Sequence, residues 1–153
     1  MIKQNAEART VLVMAGGTGG HVFPALAVAQ VLRNRGWHIE WLGTGKGIES
    51  RVVPEQGMSL NSISAVGLRG KNVKQLLIAP FHLARALWQT LCVFRRVHPA
   101  VVLGMGGFVT GPGGICARLF GIPLLIHEQN AIAGTANRYL SYIAQRVLSA
   151  FPA

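Results

Sequence analysis

The sequence predicts an α/β fold, a Rossmann-like doubly wound parallel sheet forming a single domain over residues 1–153. Three observations carry this. Six short apolar runs alternate with helical stretches, the pattern of strands covered by helices on both faces. The first run, Val11 to Ala15, passes into Gly16-Gly-Thr-Gly-Gly20 and then His21-Val-Phe-Pro24. A second glycine cluster, Gly104 to Gly107, follows the fourth run.

Residues 10–15 read as the first strand, since a continuous run of Val, Leu and Met suits burial on both faces. The glycine turn lets the main chain approach a ligand closely. Helix one is expected over 22–35, with Pro24 in its first turn and Gly36 as its stop. Strand two is expected over 37–42, then a loop at 43–47 and a short helix over 48–56 that must accommodate Pro54. Strand three covers 59–64, and the loop 65–72 carries Arg69 and Lys71. The longest helical stretch covers 73–97, and Pro80 should kink or split it. Strand four at 100–103 leads into the glycine-rich 104–114, then a helix to Phe120 with Gly121 as stop. Strand five at 122–126 ends in His127-Glu-Gln-Asn130. A last helix over 134–144 precedes strand six at 146–149.

A strand, a glycine turn and a helix N-terminus in succession gather free N–H groups and a positive dipole end, which makes an anion site. No Gly-Lys-Ser/Thr follows, so this is not a Walker loop. Val22 stands where a dinucleotide fingerprint needs a small residue. In the usual strand order, strands one and four are neighbours at the switch point. The fold should therefore bring the two glycine clusters into one crevice.

Lys and Arg outnumber Asp and Glu by 15 to 5. Such a surplus implies anionic partners. No basic run, RNA-binding signature or zinc pattern appears, so no nucleic acid is expected. Cys92 and Cys116 sit in apolar helical contexts and read as small core residues in a reducing compartment. No histidine pair has metal-ligand spacing, so no protein-held metal or other cofactor is expected.

His21, at the first helix N-terminus, should face the crevice, where an imidazole can accept a proton. Glu128 is a carboxylate at a strand's carboxyl end, able to act as base or to bind a hydroxyl. The stretch from Lys71 to Arg96 mixes basic residues with Leu76, Leu77, Ile78, Phe81 and Trp88. It suits either an anionic membrane surface or a buried helix with solvated charges.

Four motifs in order resemble the N-terminal half of the MurG family of bacterial peptidoglycan glycosyltransferases. They are Gly16 to Pro24, Gly67-Leu-Arg-Gly-Lys71, Gly104 to Pro112 and His127-Glu-Gln-Asn130. The resemblance implies a GT-B fold and inverting transfer of N-acetylglucosamine from UDP-N-acetylglucosamine (UDP-GlcNAc). The acceptor it implies is the 4-hydroxyl of lipid I, undecaprenyl-pyrophosphoryl-MurNAc-pentapeptide, and the product is lipid II. It also implies peripheral attachment to the cytoplasmic face of the inner membrane.

By matching position, Thr18, Gly19, Gly20 and Asn130 fall on donor contacts. His21 and Glu128 fall on catalytic or acceptor positions. Gly16, Gly17, Gly106 and Gly107 would hold the acceptor pyrophosphate. Leu76, Leu77, Ile78, Phe81, Arg85 and Trp88 correspond to a membrane patch. Two departures stand out. Phe108 replaces a tyrosine common in relatives, and the chain ends near the expected domain junction. The chain thus reads as an acceptor-binding domain without its C-terminal donor-binding domain, inactive alone. Alternative readings are a non-catalytic membrane-associated subunit that recruits a donor-binding partner, and a dinucleotide-dependent oxidoreductase with Glu40 as the ribose acid.

Overall fold

The structure, a computed structural model, describes residues 9–65 and 73–151, and side chains from residue 78 onward in the second stretch. The expected loop with Arg69 and Lys71, and the side chains of Leu76 and Leu77, lie outside the described residues.

Six parallel strands form one sheet, in the order β3-β2-β1-β4-β5-β6. They are β1 (Thr10–Ala15), β2 (His38–Thr44), β3 (Ser59–Ile63), β4 (Val101–Gly106), β5 (Leu124–Glu128) and β6 (Arg146–Ser149). Between them run α1 (Gly19–Asn34), α2 (Glu49–Glu55), α3 (Val73–Val97), α4 (Thr110–Leu119) and α5 (Thr135–Leu140). As expected, β1 and β4 are neighbours.

The period-two alternation of β1 divides the core. Val11, Val13 and Ala15 pack with Val22, Ala25 and Ala29 of α1 and with Val53 of α2. Leu12 and Met14 pack with Val93, Phe94, Cys116 and Ala117 on the opposite face. Each fully buried aliphatic side chain contributes about 1.5–3 kcal/mol of transfer free energy. Both faces of the central strand must therefore be covered, and helices on both sides supply the cover.

Several expectations are corrected. Helix α1 starts at Gly19, so two of the clustered glycines lie in its first turn and not before it. Strand β4 runs on through Gly104 to Gly106, because β1 pairs with Gly104 and Gly106 and β5 pairs with Gly104. Pro80 does not split α3, which is continuous over 25 residues. A proline removes one i to i−4 bond, and so long a helix retains many others. Helix α5 is shorter than expected. Cys116 is buried, but Cys92 is exposed, since it shares the outer face of α3 with the exposed Trp88, Arg95 and Arg96. Burial pushes the Cys116 thiol up to about 11.

Candidate functional site

Because all strands are parallel, the loops after β1, β2, β4 and β5 share one edge of the sheet. The first two glycine-bearing loops of interest are directly joined there. Gly16 N–H donates to Gly106 C=O at 3.3 Å. A Cβ on Gly107 would collide with the Gly16 carbonyl oxygen and lie 3.0 Å from Gly16 C. Gly17, Gly106 and Gly107 take φ of 91°, 117° and 92°. Those values lie in the left-handed region, where only glycine is free of Cβ strain.

The ladder slips by one residue where the loops begin: Met14 faces Gly104, but Ala15 faces Gly106. A slip of this kind leaves carbonyls without ladder partners, and buried ones must find others. Trp41 Nε1–H donates to Ala15 C=O at 2.9 Å, and Gln129 Nε2–H donates to Met105 C=O at 2.9 Å. The His127-Glu-Gln-Asn motif is thereby tied to the second glycine loop.

The first loop ends at Thr18, the N-cap of α1, with extended φ and ψ. Its carbonyl accepts the amides of His21 at 3.1 Å and Val22 at 3.2 Å. Among the described residues no acceptor meets the amides of Thr18, Gly19 and Gly20. They are the orphan donors of a helix start, with the dipole's positive end behind them.

Gly16 and Gly17, expected to help hold a pyrophosphate, have their own amides engaged within the protein. Gly16 N–H is taken by Gly106, and Gly17 N–H by the Glu49 carboxylate at 3.1 Å. The open donors are shifted toward the helix.

The imidazole of His21 packs over Gly106, where an added Cβ would sit 2.7 Å from Nε2. Its Nδ1 and Thr18 Oγ1 are 3.0 Å apart. The histidine thus bridges the two loops.

Glu128 ends β5 and is 6% exposed. Oε1 accepts from Asn130 N–H at 3.0 Å and Asn130 Nδ2 at 2.9 Å. Oε2 accepts from Gly134 N–H at 3.1 Å and Asn137 Nδ2 at 3.0 Å. Burial pushes this carboxyl up, but the four donors outweigh it and hold it below its ordinary range. Its geometry is that of an organiser of the 129–134 loop and the start of α5. Asn130 is exposed, with Nδ2 engaged by Glu128.

Glu40 lies inside β2, not at its carboxyl end. It accepts from Asn61 Nδ2 at 2.7 Å and sits 3.2 Å from His38 Nε2. That mid-strand position and those partners give the dinucleotide reading no support. Among the described residues no group of three or more His, Cys, Asp or Glu side chains could hold a metal ion.

On α3, Ile78, Phe81, Arg85 and Trp88 are exposed, Phe81 by 74% and Trp88 by 65%. Their spacing of three, four and three residues places them on one stripe. Ala86, Thr90, Val93 and Phe94 bury the other side. No helix among the described residues is long and apolar enough to cross a membrane.

Sequence reasoning missed Glu49. It is 0% exposed, and its neighbours include Gly16, Gly43 and Gly47. The available signal was one of only five acids, two residues after the glycine-rich Gly43-Thr-Gly-Lys-Gly47 that follows the second apolar run.

The glycosyltransferase family 28 N-terminal domain model matches residues 11–149. The chain is 60% identical over 142 residues to an Ectopseudomonas mendocina protein. That relative is named UDP-N-acetylglucosamine–N-acetylmuramyl-(pentapeptide) pyrophosphoryl-undecaprenol N-acetylglucosamine transferase. The match covers 93% of this chain and 40% of the relative. It also resembles the crystal structure of Acinetobacter baumannii MurG, with a TM-score of 0.83 and 44% identity, covering 94% of this chain and 42% of that one. A UDP-GlcNAc 2-epimerase from Methanocaldococcus jannaschii shares the fold, with a TM-score of 0.63 and 14% identity over 92% of this chain and 39% of that one. The chain spans about two fifths of the length of the curated relatives it matches.

Proposed function

Since the chain belongs to the glycosyltransferase family 28 N-terminal domain family, we propose that it is the acceptor-binding part of an N-acetylglucosaminyltransferase. The donor is UDP-GlcNAc, and a C-terminal domain supplies most of its contacts. The acceptor is lipid I and the product lipid II. The observation that carries this reading is the pair of joined glycine loops, with the amides of Thr18, Gly19 and Gly20 open at the α1 N-terminus. Such a group of donors suits a diphosphate.

In the proposed step the acceptor 4-hydroxyl attacks the anomeric carbon of the donor sugar. The bond from that carbon to the UDP oxygen breaks, and UDP leaves from the opposite face. The hydroxyl proton passes to His21 Nε2. For this, Nδ1–H donates to Thr18 Oγ1, which leaves the Nε2 lone pair free. His21 is assigned the proton in preference to Glu128, whose oxygens already accept four hydrogen bonds. No protein-held metal is assigned to the step. The helix-end amides position the diphosphate and stabilise its charge.

Peripheral attachment to the cytoplasmic face of the membrane belongs to the same proposal. The stripe of Ile78, Phe81 and Trp88 with Arg85 can rest on anionic lipid, each basic residue near the surface adding about 1 kcal/mol.

The test grafts residues 11–149 onto the remaining length of the Ectopseudomonas mendocina relative. Transfer of labelled N-acetylglucosamine from UDP-GlcNAc to lipid I is then measured. The chimaera is expected to turn over, and His21→Ala to lower kcat by about 100-fold or more. An inactive but folded chimaera removes the assignment, and full activity in His21→Ala removes the histidine from its role.

A further inference from the structure

Glu49 is fully buried, and among the described residues it takes part in no ion pair. Its charge is held by neutral donors. Oε1 accepts from Thr44 N–H at 2.9 Å and Thr44 Oγ1 at 2.7 Å, and Oε2 accepts from Gly17 N–H at 3.1 Å. Burying a carboxylate is costly unless several donors meet it. Room for it exists only because three neighbours lack a side chain. A Cβ at Gly16 would lie 2.8 Å from Oε1, one at Gly43 would lie 2.7 Å from Cγ, and one at Gly47 would collide with the carboxylate. Three glycines, one after β1, one near the end of β2 and one in the loop that follows β2, thus make the cradle for one side chain. Thr44 is held in turn, its Oγ1 accepting from Gly47 N–H at 3.0 Å.

The residue that Glu49 grips is 32 positions away and lies in the middle of the first glycine turn. Gly17 has φ of 91° and is exposed, with nothing within 4 Å of where a Cβ would stand. No side chain therefore packs on Gly17 itself. The residue before it is tied by Gly16 N–H to Gly106, its own N–H goes to Glu49, and the Thr18 carbonyl after it is held by the amides of His21 and Val22. The next three residues, Thr18, Gly19 and Gly20, carry the open amides.

We propose that Glu49 is a positioning residue for the anion site: by holding Gly17 N–H from below, it sets the turn that aims the Thr18, Gly19 and Gly20 amides into the crevice. The inference rests on the anion-binding reading above and deepens it. Glu49 touches no ligand. It occupies the one amide of the turn that would otherwise compete for the anion, and it fixes the direction of the three that remain. Hydrogen bonding of the ionised form outweighs the upward push of burial and keeps the carboxylate charged.

The experiment uses backbone amide NMR of the 153-residue chain and titration with inorganic pyrophosphate, on wild type, Glu49→Gln, Thr44→Val and Thr44→Ser. In Glu49→Gln one acceptor oxygen becomes an NH2 and faces either Gly17 N–H or the Thr44 donors. The amide resonances of Gly17 to Gly20 are expected to shift and to exchange faster, while those of Val13 and Leu103 in the sheet keep their protection. Pyrophosphate affinity should fall about tenfold, the scale of one lost hydrogen bond to a charged group. Thr44→Val should move the same amides less, and Thr44→Ser should leave them in place.

Unchanged resonances with wild-type affinity overturn the proposal, and so does a loss of protection spread evenly over the sheet. If Glu49→Gln fails to fold, Thr44→Val decides by the same readout. If the wild-type chain does not bind pyrophosphate, the anion reading fails. The local response of residues 17–20 then still decides whether Glu49 holds the turn.

Discussion

Replacing Gly107 by alanine tests the joining of the two glycine loops. The residue has φ of 92°, and its added Cβ would run into the backbone of Gly16, which cannot yield as a flexible side chain would. Three terms add. A left-handed backbone costs an L-residue about 1–2 kcal/mol. Forcing a methyl group into packed backbone costs about 1–3 kcal/mol. Separating the loops to relieve the clash breaks the bond from Gly16 N–H to Gly106, worth about 0.5–1.5 kcal/mol.

The sum for Gly107→Ala is roughly 2.5–6.5 kcal/mol. At about 2–4 °C per kcal/mol for a chain of this size, Tm should fall by roughly 5–26 °C. Gly111→Ala is the control. It lies in the first turn of α4, its φ is not positive, and nothing stands within 4 Å of its Cβ position. It should hold or raise Tm, by up to about 1 kcal/mol in stability. Thermal unfolding followed by circular dichroism reads both variants. A Gly107→Ala chain that melts with wild type would show that the loops are not in contact and would refute the site as described.

Three further outcomes are expected. The folded-state pKa of both Glu49 and Glu128 lies below the ordinary Glu value, so their stabilisation is present above that value and is lost as pH falls through the folded-state pKa. Tm should drop on the acid side only, and Glu128→Gln should flatten that limb. An unaltered limb in the variant would contradict the burial and bonding described. Phe81→Ser with Trp88→Ser should abolish co-sedimentation with phosphatidylglycerol vesicles while changing stability by less than about 0.5 kcal/mol, because both rings are already in solvent. Equal sedimentation of variant and wild type would dismiss the stripe. Cys92 should react with a maleimide in the native chain, whereas Cys116, buried and with its pKa at about 11, should react only on unfolding. Mass spectrometry of the singly labelled chain distinguishes them.

Much was legible in the sequence because it is local or periodic. The apolar runs of β1 and β4 announce buried parallel strands by composition alone. The glycines at 16–20 and 104–107 announce loops with unusual backbone. Parallel connectivity then requires those loops to share one edge of the sheet, so their meeting could be inferred before any distance was known. His21 was visible for the same reason, as the residue at a helix start beside a glycine turn.

What could not be read is who bonds to whom across that edge. Which amides remain open depends on the one-residue slip between β1 and β4, and a slip leaves no trace in composition. Glu128 was conspicuous as a rare acid, but only tertiary contacts show its four donors and make it a loop organiser. Glu49 looked like an ordinary first-turn residue of a short helix until folding brought Gly17 to it. Hydrophobic pattern and glycine placement are carried by the chain itself, and they decided the fold and the neighbourhood of the site. Hydrogen-bond partners far apart in sequence are chosen by the packed geometry, and only the tertiary structure decided which groups in that neighbourhood are free to act.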